Sequence, residues 1–172
     1  LLCARLMERG ELNSADRVAD YLDEFARAGK RSLTIRHLLT HTSGLPAWLP
    51  LYLLAGDRQA ALAAIAEQPL EYMPGERVIY SDLGFIALGF ILQCLSGLTL
   101  PQLAGREIFT PLQLRHTFFN PSVAARTGVA ACETGNAYER EMCERDFAGR
   151  AYDGWRNETI WGAVHDGNAH FL

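Results

Sequence analysis

Residues 81–97 read Ser81-Asp82-Leu83-Gly84-Phe85-Ile86-Ala87-Leu88-Gly89-Phe90-Ile91-Leu92-Gln93-Cys94-Leu95-Ser96-Gly97. Ser81 is a good helix N-cap, Asp82 suits a first turn, and Gly97 suits the left-handed position after the last turn. The stretch therefore predicts a helix over Asp82 to Ser96. Its apolar residues (Leu83, Phe85, Ile86, Leu88, Phe90, Ile91, Leu92, Leu95) wrap around the whole axis. A helix apolar on every side belongs at the centre of a domain. Gly84 and Gly89 leave room for another backbone to approach it.

The neighbouring segments supply shorter elements. Upstream, Val78 and Ile79 can be extended, and Pro74-Gly75 is a tight-turn dipeptide. Asp57 caps an Ala-rich helix through Ala66, with Leu62 and Ile65 inward, and Pro69 ends it. Thr34 caps a short helix from Ile35 to His41, which stops at Thr42-Ser43-Gly44. Gly29-Lys30-Arg31 is a turn. Asn13 or Ser14 caps a short helix carrying Val18, Tyr21, Leu22 and Phe25. Residues 1–9 form a helix closed by Gly10, with Leu2, Leu6 and Met7 on one face. Downstream, Thr99 with Gln102 makes a capping box for a helix to about Phe109. After Pro111 the character changes. Thr117 to Phe119 and Gly128 to Cys132 read as short strands, and residues 133–160 as polar and irregular. The expected fold is mainly α, a single partial domain over 1–172. Residues 1–112 are its helical region, and 113–172 a loop-rich tail with few strands.

Composition excludes several classes. The chain has 172 residues, is 49% hydrophobic and 21% charged, and carries a net charge of -4, which is ordinary globular composition. Lys30 is the sole lysine and no basic cluster exists, so a nucleic-acid surface is not expected. A membrane span needs roughly 18 to 20 apolar residues; the longest run, Leu83 to Leu95, is broken by Gly84, Gly89 and Gln93. Cys94 reads as a small hydrophobe in its helix. Cys3, Cys132 and Cys143 lack zinc-ligand spacing. A Cys132–Cys143 disulfide across a hairpin is one open reading, and the compartment, cytoplasmic or exported, is left open. No cofactor is expected. The chain opens on Leu1-Leu2-Cys3 as if inside a helix, so it reads as a fragment of a longer protein.

Three stretches carry a resemblance. The first is Leu33-Thr34-Ile35-Arg36-His37-Leu38-Leu39-Thr40-His41-Thr42-Ser43-Gly44-Leu45-Pro46. The second runs from Met73-Pro74-Gly75-Glu76 through Tyr80-Ser81-Asp82-Leu83-Gly84-Phe85 and Leu88-Gly89 to Leu95-Ser96-Gly97. The third is Gly162-Ala163-Val164-His165-Asp166-Gly167-Asn168-Ala169. Together they resemble the class C β-lactamase, penicillin-binding-protein and esterase family, and the third tilts the likeness toward the esterase-like branch. Gln113 departs from the family's Gly after Pro-Leu, and Asp82 from its commoner Asn.

The resemblance implies the helical lobe of a β-lactamase/transpeptidase-like fold and a serine hydrolase working through an acyl-serine on an ester, amide or β-lactam bond. Such chemistry uses a Ser-x-x-Lys nucleophile, a Tyr-x-Asn proton relay, and a Lys-Thr-Gly or His-x-Gly substrate strand. Only the second is present, as Tyr80-Ser81-Asp82. Arg27 stands three residues before Lys30, so no Ser-x-x-Lys exists in this chain. The resemblance places the serine–lysine pair before residue 1 and the substrate strand after residue 172. The longer protein is then expected to take a small-molecule substrate, and this chain alone to be inactive. An exposed apolar surface and self-association are expected where the rest of the fold would pack.

Each candidate also has a plainer reading. Tyr80 reads as the catalytic tyrosine or as an ordinary aromatic before a helix. Asp82 reads as its hydrogen-bond partner or as a first-turn acid. Ser81 reads as a cap rather than a nucleophile. His37 and His41 stand four apart, which is metal-ligand spacing, but no intervening Glu or further ligand is visible and no metal is expected. His165-Asp166-Gly167 formally matches His-x-Gly. Trp155 and Trp161 either line a cleft or anchor loops. A non-enzymatic interaction domain on the same scaffold is the rival to the hydrolase.

Overall fold

Capping residues set most of the helix starts. The computed structural model describes residues 1–132, 137–155, 160–161 and 167–171. Helix α1 spans Leu2–Glu8, and the chain leaves it through Gly10 at φ 72°. Two 3₁₀ turns follow, Val18–Asp20 and Asp23–Ala26. Helix α2 is Ile35–Leu39, with the Thr34 side chain accepting from the His37 amide. Helix α3 is Leu51–Leu54. Helix α4 is Arg58–Glu67, capped by Asp57, whose carboxylate accepts from the Ala60 amide. Helix α5, Asp82–Ser96, starts at Ser81 and ends at Gly97, φ 66°. Helix α6, Leu100–Ala104, begins in the Thr99–Gln102 capping box and continues as a π-helical turn over Gly105–Phe109.

The core forms around α5. Leu83, Ile86, Leu88, Ile91 and Leu92 pack with Leu6, Phe25, Leu33, Ile35, Leu38, Leu62, Ile65 and Leu103. Each such side chain contributes about 1.5–3 kcal/mol by leaving water. A Cβ on Gly84 would lie 3.6 Å from Leu38 Cδ2 and 3.9 Å from its backbone, so this glycine brings α5 and α2 together. Helix α1 is tied to the π-turn by charge. Glu107 accepts from Arg9 at 2.7 Å and from Arg106 at 2.8 Å. Burial pushes the Glu107 carboxyl up, and the two guanidinium groups more than reverse this.

Among its described residues the tail has few strands, as expected, with two differences from the sequence reading. Ala131–Cys132 (β1) and Ile160–Trp161 (β2) pair antiparallel, Ala131 opposite Trp161. Thr117 to Phe119 is not a strand; Phe119 instead stacks on Phe109 at 6.1 Å. Within 133–160, where no helix was expected, Ala137–Asp146 forms helix α7, held on its outer face by an Arg140–Glu144 pair at 2.8 Å. None of the four cysteines forms a disulfide, so Cys132 and Cys143 are not bridged. The Cys143 sulfur lies 3.5 Å from the Tyr52 hydroxyl instead. Cys94 is exposed rather than core. Among the described residues, no single helix is long and apolar enough to cross a membrane.

Candidate active site

The first two sequence stretches lie side by side. The chain after α2 turns at His41, a non-glycine residue with φ 55°, and at Gly44, φ 81°. Three backbone hydrogen bonds join it to residues 71–79: Glu71 to the Gly44 carbonyl at 2.8 Å, Gly75 to Thr42 at 2.8 Å, and Ile79 to His41 at 2.9 Å. Gly44 is required twice. Its φ suits only glycine well, and a Cβ there would lie 2.2 Å from the Tyr72 carbonyl oxygen.

This cradle fixes the Tyr80-Ser81-Asp82 turn. The Ser81 amide donates to His41 Nδ1 at 3.2 Å. An accepting Nδ1 leaves the His41 proton on Nε2. The Ser81 hydroxyl donates to the Pro46 carbonyl at 2.7 Å and accepts from the Gly84 amide at 3.4 Å. The Asp82 amide donates to the Ala47 carbonyl at 2.9 Å. Ser81 is thus a buried cap with both its functions committed to structure. The His41 ring packs between Tyr80, 4.7 Å between centroids, and Phe85, 4.8 Å and near-parallel. Phe85 therefore faces this stack and is half exposed instead of entering the core.

Tyr80 and Asp82 meet at one place, the N-terminus of α5. Tyr80 is 69% exposed while Ser81 is buried, so the tyrosine stands at the surface on a rigid support. Asp82 is the first helical residue, where the positive end of a fifteen-residue helix favours negative charge. The two histidines do not stand one turn apart on a helix. Helix α2 ends at Leu39, so His41 lies off the helical face that the four-residue spacing suggested. His37 Nδ1 accepts from the Thr34 amide at 3.1 Å, and His41 Nδ1 from Ser81. Among the described residues, no group of three or more His, Cys, Asp or Glu side chains could hold a metal. Lys30 is fully buried in the turn before Leu33, and its Nζ has no hydrogen-bond partner among the described residues. Burial pushes its pKa down.

The third stretch reaches the same segment from the far end of the chain. His165 and Asp166 lie outside the described residues, so the His-x-Gly reading does too, as does the side chain of Trp161. Gly167–Phe171 forms a 3₁₀ turn. Asn168 is buried; its Oδ1 accepts from the Leu51 amide at 3.0 Å, and its Nδ2 donates to the Leu49 carbonyl at 2.9 Å. Gly167 packs under Tyr52, where a Cβ would lie 2.4 Å from Cδ1. Residues 46–51 are thus pinned at one end by Ser81 and Asp82 and at the other by Asn168. Sequence reasoning quoted Asn168 within its motif and gave it no role. An asparagine with α3 as its partner has no local signature.

The family profile described as Beta-lactamase matches residues 1–169. The chain belongs to the Beta-lactamase family. Among curated proteins it is 35% identical to one from Escherichia coli (strain K12) named "Putative D-alanyl-D-alanine carboxypeptidase", over 97% of this chain and 40% of that protein. It is 32% identical to a protein of the same name from Salmonella agona (strain SL483), again over 97% and 40%. Among solved structures it resembles "EstCE1, a hydrolase with promiscuous acyltransferase activity", with TM-score 0.64 and 31% identity over 77% of this chain and 40% of that one. A penicillin binding protein from Bacillus halodurans gives TM-score 0.57 and 28% identity over 69% and 39%. This chain therefore spans about 40% of the curated relatives it matches. Its mainly helical architecture is that of the helical part of this fold.

Proposed function

We propose that this chain is the tyrosine-bearing helical part of a serine hydrolase that cleaves an ester, amide or β-lactam bond through an acyl-serine. The observation that carries this is the locked Tyr80 turn: an exposed phenol on a buried N-cap, held by His41, Pro46 and Ala47. Tyr80 would relay protons between the serine oxygen and the leaving group. A free phenol, with a pKa near 10, is a poor base at neutral pH and needs a neighbouring cation to lower it. Asp82 would orient the phenol or a substrate amide at the helix N-terminus. On this reading residues 1–112 are the helical region, and 113–172 lead toward a further α/β lobe.

The chain alone has no Ser-x-x-Lys, so it lacks the covalent route. The purified chain is expected to show no turnover of a chromogenic lactam or of p-nitrophenyl esters. Measurable hydrolysis that survives a second purification would sink this assignment. Reading the genomic DNA upstream of Leu1 tests the rest: an in-frame Ser-x-x-Lys within a few tens of residues is expected.

The rival reading is a non-enzymatic interaction domain on the same scaffold, and the absence of an in-frame Ser-x-x-Lys upstream would favour it. Leu112, Phe118, Phe119 and Val123 are all exposed, as expected where the rest of the fold would pack. Light scattering should then show self-association rising with concentration, and a clean monomer at high concentration would count against that covering surface.

A further inference from the structure

Where the tail meets α3, three aromatic rings form a corner. Tyr52 and Tyr152 lie 4.5 Å apart, Tyr52 and Trp155 5.9 Å, and Tyr152 and Trp155 5.2 Å, the last two pairs edge-on. Gly154 permits it, since a Cβ there would lie 2.4 Å from the Tyr152 hydroxyl.

Beside this corner is a cavity of about 190 Å³, whose lining among the described residues includes Tyr152, Trp155, Cys143, Arg140, Arg150 and the carboxylate of Glu144. A dry cavity of roughly 150 Å³ takes a benzene ring, so this one has room for a ring and a small substituent. The floor is uncharged at neutral pH, because burial pushes the Cys143 thiol up. The charge on the walls is unbalanced. Arg140 is matched by Glu144 at 2.8 Å. Arg150 has no carboxylate partner among the described residues; one of its nitrogens donates to the Leu53 carbonyl at 3.1 Å. A guanidinium has five N–H donors in a planar fork, so an edge of this one is left for a carboxylate.

We propose that this cavity binds a small aromatic carboxylate of the benzoate or phenylacetate class, its ring against Tyr152 and Trp155 and its carboxylate on Arg150. Glu144 does not forbid the anion, because Arg140 already engages it. The site stands independently of the hydrolase reading, and its test needs no turnover.

The test is a ¹⁹F NMR titration of 4-fluorobenzoate with the purified chain, with neutral 4-fluorobenzamide in parallel. Saturable broadening is expected for the acid, and binding about tenfold weaker for the amide, the loss expected from one charge-assisted hydrogen bond. Arg150→Gln should weaken the acid about tenfold and leave the amide unchanged. Ala151→Trp, which fills the cavity from its exposed rim, should remove both while circular dichroism stays native. Three results overturn the proposal: no saturable binding of the acid, equal binding of acid and amide, or an Arg150→Gln chain that binds the acid like the wild type. The acid–amide comparison decides the matter even if a variant fails to fold.

Discussion

In the helical region Leu38, Ile65, Leu83 and Ile91 are each fully buried, and they share one core with residues from every helix around α5. In the tail the buried described residues are few: Cys143, Gly167, Asn168 and Phe171. The first region coheres by apolar area, spread over many contacts. The second enters that core at Phe171 and is otherwise fastened at separate points: Asn168 on Leu49 and Leu51, the Tyr52 hydroxyl on Glu139 at 2.5 Å, and the Tyr152–Trp155 corner. A shared core unfolds as a unit, whereas point fastenings can open one at a time.

The sharpest way to break this contrast is to damage each region and compare the reach of the damage. Ile91→Ala leaves a hole at the centre of α5 and should cost about 2–5 kcal/mol, read as a lower urea midpoint by every probe at once. Asn168→Ala strands a buried amide and carbonyl and should cost about 1–3 kcal/mol. Its effect should stay local, with faster hydrogen exchange at the α3 amides and little change within α5. If Asn168→Ala lowered the global midpoint as far as Ile91→Ala, the two regions would form one cooperative unit.

The smallest effect concerns pH. Burial, then the Arg36 charge, hold the His37 pKa below its ordinary 6.5. The unfolded chain therefore binds the extra proton first as pH falls. The stabilisation from neutral His37 is complete above about pH 6.5 and is lost as pH drops through the folded value. The melting temperature of the helical region should therefore fall as pH drops below about 6.5, with tail exchange rates unaffected. His37→Gln keeps an acceptor in the capping box and should flatten that slope; an unchanged slope would remove His37 from the account.

Much of the helical region was legible because its signals are local, although the helix expected after Asn13 or Ser14 is two 3₁₀ turns and α3 was not expected. Ser81, Asp57, Thr34 and Thr99 each cap where the sequence places a cap, and Gly10 and Gly97 each close a helix. Helix α7 was not legible. Its only buried residue is Cys143, so no apolar stripe marks it. The Tyr80 turn was legible as a motif, but its support was not. His41 reads as the end of a helix and is instead a left-handed residue whose ring and Nδ1 serve the turn. Asn168 acts across 117 residues, a distance at which spacing carries no information.

Gly44 sets a limit on how this cradle can change over generations. Any single-nucleotide missense change in a glycine codon brings in a residue with a Cβ. At φ 81°, with a carbonyl oxygen 2.2 Å from where that carbon would sit, no such replacement fits without moving the 71–79 segment of the cradle. Drift at this codon is closed in every direction unless Tyr72 moves first. The route to a differently placed tyrosine therefore starts at the turn opposite Gly44, in residues 70–75.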